Sequence, residues 1–192
     1  AIDTDLLNHF LKFSASCLYG RNSDKIFPIF TGGGDNSKSM IIKLFELTFN
    51  SYCIKLDISN VTSRNTNAAG PSPQLARAGG TRVLFMDEPD DDVPMHKGVL
   101  KKWSGGDSFY ARFLHDDGKD TVVTFKVVLS CNRVPVIPNA DKAIKNRTRL
   151  FPFMSTWVDD APEDEMTQMR ERLFKKNEKF ESEIPLMAPA FL

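Results

Sequence analysis

One segment restricts the fold of this chain more than any other: Thr31-Gly32-Gly33-Gly34-Asp35-Asn36-Ser37-Lys38-Ser39. A short apolar run, residues 25–30, stands before it and is broken by Pro28. After it come Met40, Ile41, Ile42, Leu44, Phe45 and Leu47, dense enough for a buried helix. Strand, glycine-rich turn and helix in that order make a backbone cradle for anions. Glycines let the chain curl so that its N–H groups point inward, and the following helix adds the partial positive charge of its N-terminus. Residues 32–39 fit G-x-x-x-x-G-K-[ST] at every fixed position except one, where Ser37 replaces the second glycine. In such a loop Lys38 can reach β- and γ-phosphates, and the Ser39 hydroxyl can ligate Mg²⁺. A glycine-rich turn with a chance Lys-Ser pair is the alternative for this segment alone.

Two further segments end in polar groups. Val83-Leu84-Phe85-Met86 reads as a buried strand and runs into Asp87-Glu88. An open α/β sheet exposes its ligand edge at the carboxyl ends of its strands. Asp87 could hold Mg²⁺ through water there, and Glu88 could orient and polarise an attacking water. Taken alone, Asp87-Glu88 would be a solvated acidic turn; downstream of a phosphate loop the balance reverses. Val127-Val128-Leu129-Ser130-Cys131 is a third apolar strand, ending at Asn132, which could also just cap a turn before Pro135.

Around these, residues 5–18 have helical spacing, with Asp3, Thr4 or Asp5 as N-cap. Residues 53–58 read as a strand, 60–73 as a polar loop, 74–78 as a short helix and 93–103 as a helix stopped by Ser104-Gly105-Gly106-Asp107. Residues 108–114 and 121–130 flank a polar turn that resembles a hairpin tip. Residues 150–158 form a candidate strand and 166–180 a charged amphipathic helix, while 184–192 show no packing pattern. Strands alternating with helices predict an α/β sandwich with a mostly parallel sheet.

The formal net charge is zero, so any nucleic-acid contact must come from local clusters. Lys97, Lys101 and Lys102 form one such group, and Lys142, Lys145, Arg147 and Arg149 another. The three cysteines, Cys17, Cys53 and Cys131, are far apart and match no metal-ligand spacing, so free thiols are expected. His9 reads as structural and Trp103 as core or interface. No run of about 18 apolar residues exists, and no membrane partner is expected. The chain opens on Ala1 rather than Met, which suggests a piece of a longer protein.

The phosphate-loop segment, Asp87-Glu88 and Asn132, in this order, resemble superfamily-3 helicases of the AAA+ class. Between them the match narrows: Pro73-x-Leu75-Ala76, Arg82, Glu88, Leu100-Lys101-Lys102-Trp103-Ser104-Gly105-Gly106-Asp107 and Ala111-Arg112 are similar to the poxvirus-type primase–helicases of nucleocytoplasmic large DNA viruses. Asp141-x-Ala143, Arg147 and Pro152-Phe153 resemble the end of that core. The resemblance implies an AAA+ P-loop NTPase sandwich with a β-hairpin insertion. It divides the chain into an N-terminal helix and linker (1–24), an ATPase core (25–158) and a C-terminal helix and tail (159–192).

The resemblance also implies roles. ATP and Mg²⁺ would be the cofactors. Asn132 would sense the γ-phosphate, and Arg147, with Arg149 in reserve, would be the arginine finger reaching a neighbour's site in a homo-hexamer. His115 and Lys119, on a hairpin in the ring channel, would touch single-stranded DNA; a solvated β-turn accounts for them equally, since Asp116, Asp117 and Asp120 offset the charge. Lys101 and Lys102 could face DNA or solvent. The expected activity is ATP-driven translocation and unwinding at replication forks, with a primase domain elsewhere in the chain, in host cytoplasm or a viral factory. Two other readings are a ring-assembly or loader module without unwinding, and an interaction domain with a degenerate loop. Intact Lys38, Ser39, Asp87, Glu88 and Asn132 argue against the last.

Overall fold

A computed structural model describes residues 3–62, 73–88, 93–113, 115 and 117–192. From the N-terminus the elements are α1 (Thr4–Ser16), β1 (Phe27–Thr31), α2 (Lys38–Phe49), β2 (Cys53–Lys55), α3 (Ser59–Thr62), α4 (Pro73–Ala76), β3 (Val83–Met86) and α5 (Lys97–Gly105). They continue as β4 (Phe109–Ala111), β5 (Lys119–Thr121), β6 (Lys126–Cys131), α6 (Lys142–Arg147), β7 (Thr148–Pro152), β8 (Thr156–Val158), α7 (Glu165–Glu171), β9 (Leu173–Lys175) and α8 (Phe180–Phe191).

Five strands pair in the order β2-β3-β6-β1-β7, and every pair is parallel. Parallel neighbours need crossover connections, and helices supply them. Both faces of such a sheet are covered, so its central strands read as largely apolar runs. Successive strand residues point to opposite faces, and this splits the core in two. Ile29, Leu84, Met86, Val127 and Leu129 join Leu100, Trp103, Phe125 and Ile144 on one face. Phe30, Val83, Phe85 and Val128 join Phe13, Ile42, Phe45 and Phe151 on the other. The architecture is the α/β P-loop NTPase sandwich that the sequence predicts. Trp103 is core, as expected, and His9 stacks on Phe151 at 5.0 Å.

Two devices fix α1. Asp3 is its N-cap, accepting from the Leu6 N–H at 3.0 Å. Beyond its C-terminus, buried Lys126 at the start of β6 donates to the carbonyls of Ser16 and Arg21, both at 2.7 Å, and Tyr19 at 3.3 Å. A cation suits the negative end of a helix, although burial lowers the Lys126 pKa.

The expected hairpin is present: β4 and β5 pair antiparallel, Phe109 opposite Thr121 and Ala111 opposite Lys119. Its return strand is shorter than predicted. It closes at Thr121, and β6 then starts a separate strand of the main sheet. The helix expected over 93–103 begins only at Lys97, capped by the His96 side chain, and runs to Gly105, where Gly106 at φ 83° ends it. The single strand expected over 150–158 is two, β7 and β8, in different sheets. Most of the loop expected over 60–73 lies outside the described residues; its first residues belong to α3.

The C-terminal region differs most. No continuous helix spans 166–180: α7 stops at Arg172, whose φ of 57° is left-handed, and β9 follows. Residues 184–192 do pack. Phe180, Ile184, Ala188 and Phe191 recur at helical spacing on α8, with Ile184 fully buried and the Phe191 ring 5.2 Å from Phe45. Pro185 and Pro189 within α8 obscure that pattern in the sequence. Among the described residues, no helix is long and apolar enough to cross a membrane.

Because α8 packs into the core, Ile184→Ala should lower the unfolding free energy by about 2–5 kcal/mol. Leu186→Ala, on the exposed side of the same helix, changes it by less than about 0.5 kcal/mol. Urea unfolding of both variants checks this.

Candidate functional site

Parallel pairing aligns the carboxyl ends of β1, β3 and β6 on one edge of the sheet. Thr31 is level with Cys131, and Met86 with Leu129. Gly32, Asp87 and Asn132, which follow these strands, therefore emerge together beside β1, where the chain order reverses. Open α/β sheets bind ligands at such a switch point. A cleft of about 540 Å³ lies there, walled by residues 33–40, Asp87, Glu88, Ser130, Cys131 and Asn132.

The loop between β1 and α2 is wound tightly. At Gly32, φ is 148°, and a Cβ would stand 2.4 Å from the Phe153 carbonyl oxygen and 2.6 Å from Asn36 Nδ2. Only glycine fits. Ser37 has φ 65° and ψ 13°, and its side chain makes no capping bond to α2. The position that departs from the sequence motif is therefore one where glycine would be unstrained. Asp35 is also left-handed, at φ 53°. Buried Asn36 braces the turn: its Nδ2 donates to the Phe153 carbonyl at 3.4 Å, and its Oδ1 accepts from the Lys38 N–H at 3.3 Å.

Lys38 opens α2, and its ammonium lies back over the loop. It donates to the carbonyls of Gly32 and Gly33 (the latter at 3.0 Å), to Asn36 Oδ1 at 3.3 Å and to Asn132 Oδ1 at 3.3 Å. Burial lowers its pKa, partly offset by Cys131 and Glu88. Lys38 and Asn132 thus share one point of the cleft, reached from two strands. Half-buried Glu88 is oriented by the Arg133 N–H, which donates to its Oε1 at 3.0 Å, whereas Asp87 is exposed. The Thr31 hydroxyl donates to the Asn132 carbonyl at 3.3 Å and ties β1 to the end of β6.

Among the described residues, no group of three or more His, Cys, Asp or Glu side chains could hold a metal. Ser39 and Asp87 do line the same cleft. Two protein oxygens suit an ion such as Mg²⁺, which keeps waters and takes further ligands from phosphates.

The other predicted residues lie elsewhere. Arg147 and Arg149 do not line the cleft. Arg147 donates from Nη1 to the Ala143 carbonyl at 3.0 Å, and its Nε is buried without a partner. Arg149 donates to the carbonyls of Asn146 at 2.7 Å and Thr148 at 2.9 Å. Lys101 is ion-paired with Asp141, the N-cap of α6, and that contact holds the Asp141 carboxyl below the usual carboxylate range. Lys102, His115 and Lys119 are exposed, His115 at φ 62° and Lys119 as the first residue of β5.

A second wall of the cleft had no signal in the sequence. Trp157 of β8, residues 176–178, Phe180 and Glu181 face the loop. They are held there by long-range contacts: the Trp157 N–H donates to the Asp35 carbonyl at 2.8 Å, and Lys43 of α2 pairs with Glu181 at 2.6 Å.

No protein-family model matches this chain. It is similar to viral proteins: 39% identical over 153 residues to "Putative helicase 022R" of Frog virus 3 (isolate Goorha), covering 78% of this chain and 16% of that protein. To "Putative helicase 184R" of Invertebrate iridescent virus 6 it is 37% identical, over 93% of this chain and 19% of the relative. The match to "Putative helicase L207/L206" of Acanthamoeba polyphaga mimivirus is 31%, over 81% and 16%. The chain thus spans less than a fifth of the length of these relatives. Among solved structures, the A form of the apo NrS-1 C-terminal region superposes with a TM-score of 0.68 over 98% of this chain and 40% of that one. At 16% identity that likeness is one of fold.

The loop geometry makes opposite predictions at its two ends. Gly32→Ala should cost about 2 kcal/mol or more, from strain and overlap. Ser37→Gly should be neutral or stabilising by up to about 1 kcal/mol, since relief of strain offsets the greater freedom of unfolded glycine. Thermal melting of the two variants measures both.

Proposed function

We propose, from the distant relationship of this chain to AAA+, superfamily-3-like viral helicase–primases, that it is the ATP-hydrolysing motor of a DNA helicase. The observation that carries this reading is the convergence of Lys38, Ser39, Asp87, Glu88 and Asn132 on one cleft at the carboxyl edge of the parallel sheet. Their chemistry suits phosphoryl transfer to water, in which catalysis is mostly positioning and electrostatics. Lys38 would exchange its loop carbonyls for β- and γ-phosphate oxygens. Ser39 and Asp87 would hold Mg²⁺, Asp87 through water; the ion, when bound, would neutralise charge on the phosphates. Glu88, held by the Arg133 N–H, would orient and polarise the attacking water. Asn132, already within 3.3 Å of the Lys38 ammonium, would contact the γ-phosphate end.

Arg147 lies outside its own chain's cleft, as a finger acting on a neighbour would. That role requires a ring, and we assign a homo-hexamer on family grounds. The β4–β5 hairpin, with His115 and Lys119 exposed, would grip the single-stranded DNA backbone, a contact that needs no base reading. Lys101, paired with Asp141, is a weaker candidate for DNA than Lys102. The whole protein would unwind duplex at replication forks and carry a primase domain in the same chain. Its narrower kinship would be with poxvirus-type primase–helicases, working in host cytoplasm or viral factories. The runner-up is a nucleotide-dependent ring-assembly or loader module, which would hydrolyse ATP without a response to DNA.

The first test is ATP hydrolysis with and without single-stranded DNA. The wild type should hydrolyse ATP faster with DNA, and both Lys38→Ala and Glu88→Gln should lose about 100-fold or more of that rate. Hydrolysis indifferent to DNA would select the loader reading, and none at all would sink both. The trans role of Arg147 has its own check. Arg147→Ala and Lys38→Ala should each be inactive, yet mixing them should restore part of the activity, because some interfaces then combine an intact Lys38 with an intact Arg147. A mixture as inactive as its components would exclude a finger in trans.

A further inference from the structure

The cleft is bordered by two aromatic residues outside the phosphate-loop motif, Trp157 and Phe180. On one side stand the loop amides, Lys38, Asp87, Glu88 and Asn132; on the other stand the two aromatic side chains, among Lys176, Asn177, Glu178 and Glu181. A nucleoside triphosphate offers a partner to each kind of group, a polyanion for the loop amides and Lys38 and a flat π-face for an aromatic ring. We propose that Trp157, seconded by Phe180, is the platform on which the nucleobase stacks. This rests on the nucleotide-binding reading of the same site and adds which residues hold the base, and by what force.

Three observations support it. Trp157 is 37% exposed although it is one of the largest apolar side chains in the protein, and it lines the cleft. Its ring is backed by Phe174, with centroids 5.1 Å apart and planes 34° from parallel, so the indole is braced rather than free. The wall is also tied to the loop at one end and to α2 at the other. The Trp157 N–H donates to the Asp35 carbonyl at 2.8 Å, and the Lys43–Glu181 ion pair joins α2 to the start of α8 beside Phe180. A base held here would keep a fixed offset from phosphates held by residues 33–39.

The force has a consequence for specificity. Stacking accepts any base because every base has a π-face, whereas rejecting the wrong base strongly needs buried hydrogen-bonding groups left unpaired. Trp157 should therefore strengthen binding of all four nucleoside triphosphates, purines more than pyrimidines because of their larger ring area, without making the site exclusive for adenine.

The test compares ATP with inorganic tripolyphosphate, each with Mg²⁺, by calorimetry on the wild type, Trp157→Ala and Trp157→Phe. The Trp157→Ala change leaves the backbone bond to Asp35 in place and so removes the ring selectively. The wild type should bind ATP more tightly than tripolyphosphate. Trp157→Ala should lose about tenfold or more in ATP affinity with tripolyphosphate affinity kept, and Trp157→Phe should recover most of the loss. An ATP advantage undiminished in Trp157→Ala overturns the proposal. So does equal binding of the two ligands by the wild type, which leaves the phosphate-loop reading standing. Failure of the wild type to bind either ligand overturns that reading and this inference together. Equal loss of both ligands in Trp157→Ala would mean that the ring only props the loop, and it too overturns the proposal.

Discussion

Parallel pairing of β1, β3 and β6 is the constraint on which the rest of this structure depends. Antiparallel strands would send successive chain ends to opposite edges of the sheet. Parallel strands bring Gly32, Asp87 and Asn132 to one edge, and the helical crossovers that parallel pairing requires cover both faces. The same arrangement explains why the central strands are largely apolar and why β3 reaches its carboxylates only after it has ended. Val83 to Met86 are all buried, and the next residue, Asp87, is exposed.

The loop after β1 is where that order is strained. Gly32, Asp35 and Ser37 all have positive φ, and a backbone of this kind persists only where its surroundings determine it. Here Asn36 braces it from within, through Lys38 and the Phe153 carbonyl. The Trp157 N–H braces it from outside, through the Asp35 carbonyl. The C-terminal third of the chain thus contributes to the shape of a loop that lies far from it in sequence. The aromatic core carries this further, since Phe191 at the far end of α8 packs on Phe45 of the helix that the loop introduces.

Much of this was legible in the residues. The limits of β3 could be read directly from Val83-Leu84-Phe85-Met86, because an unbroken apolar run bounded by polar residues has few other uses. A cap for α1 among Asp3, Thr4 and Asp5, the hairpin around residue 115 and the buried helix after the glycine-rich loop were legible for similar local reasons, and the structure selects Asp3 as the cap. The hairpin's return strand was not placed correctly, since nothing between Thr121 and Lys126 marks the passage from one sheet to the other. After residue 158, charge and helical spacing suggest one helix over 166–180, and nothing local marks Arg172, whose left-handed backbone ends α7. The prolines of α8 then hid a face that is apolar only when read at helical spacing.

Local order alone determined the glycine-rich loop segment, the strands that flank it chemically and the residues at their tips. Those features depend on neighbours within a few positions, and glycine, apolar runs and terminal carboxylates announce them without reference to the rest of the chain. Tertiary structure alone decided that Lys38 and Asn132 meet, that Lys101 is occupied by Asp141 while Lys102 is exposed, and that Trp157 and Phe180 close the other side of the cleft. Each of these joins residues distant in the chain. Such contacts form because sheet order, register and helix docking bring the groups together, and one sequence carries no local mark of which distant segment will arrive.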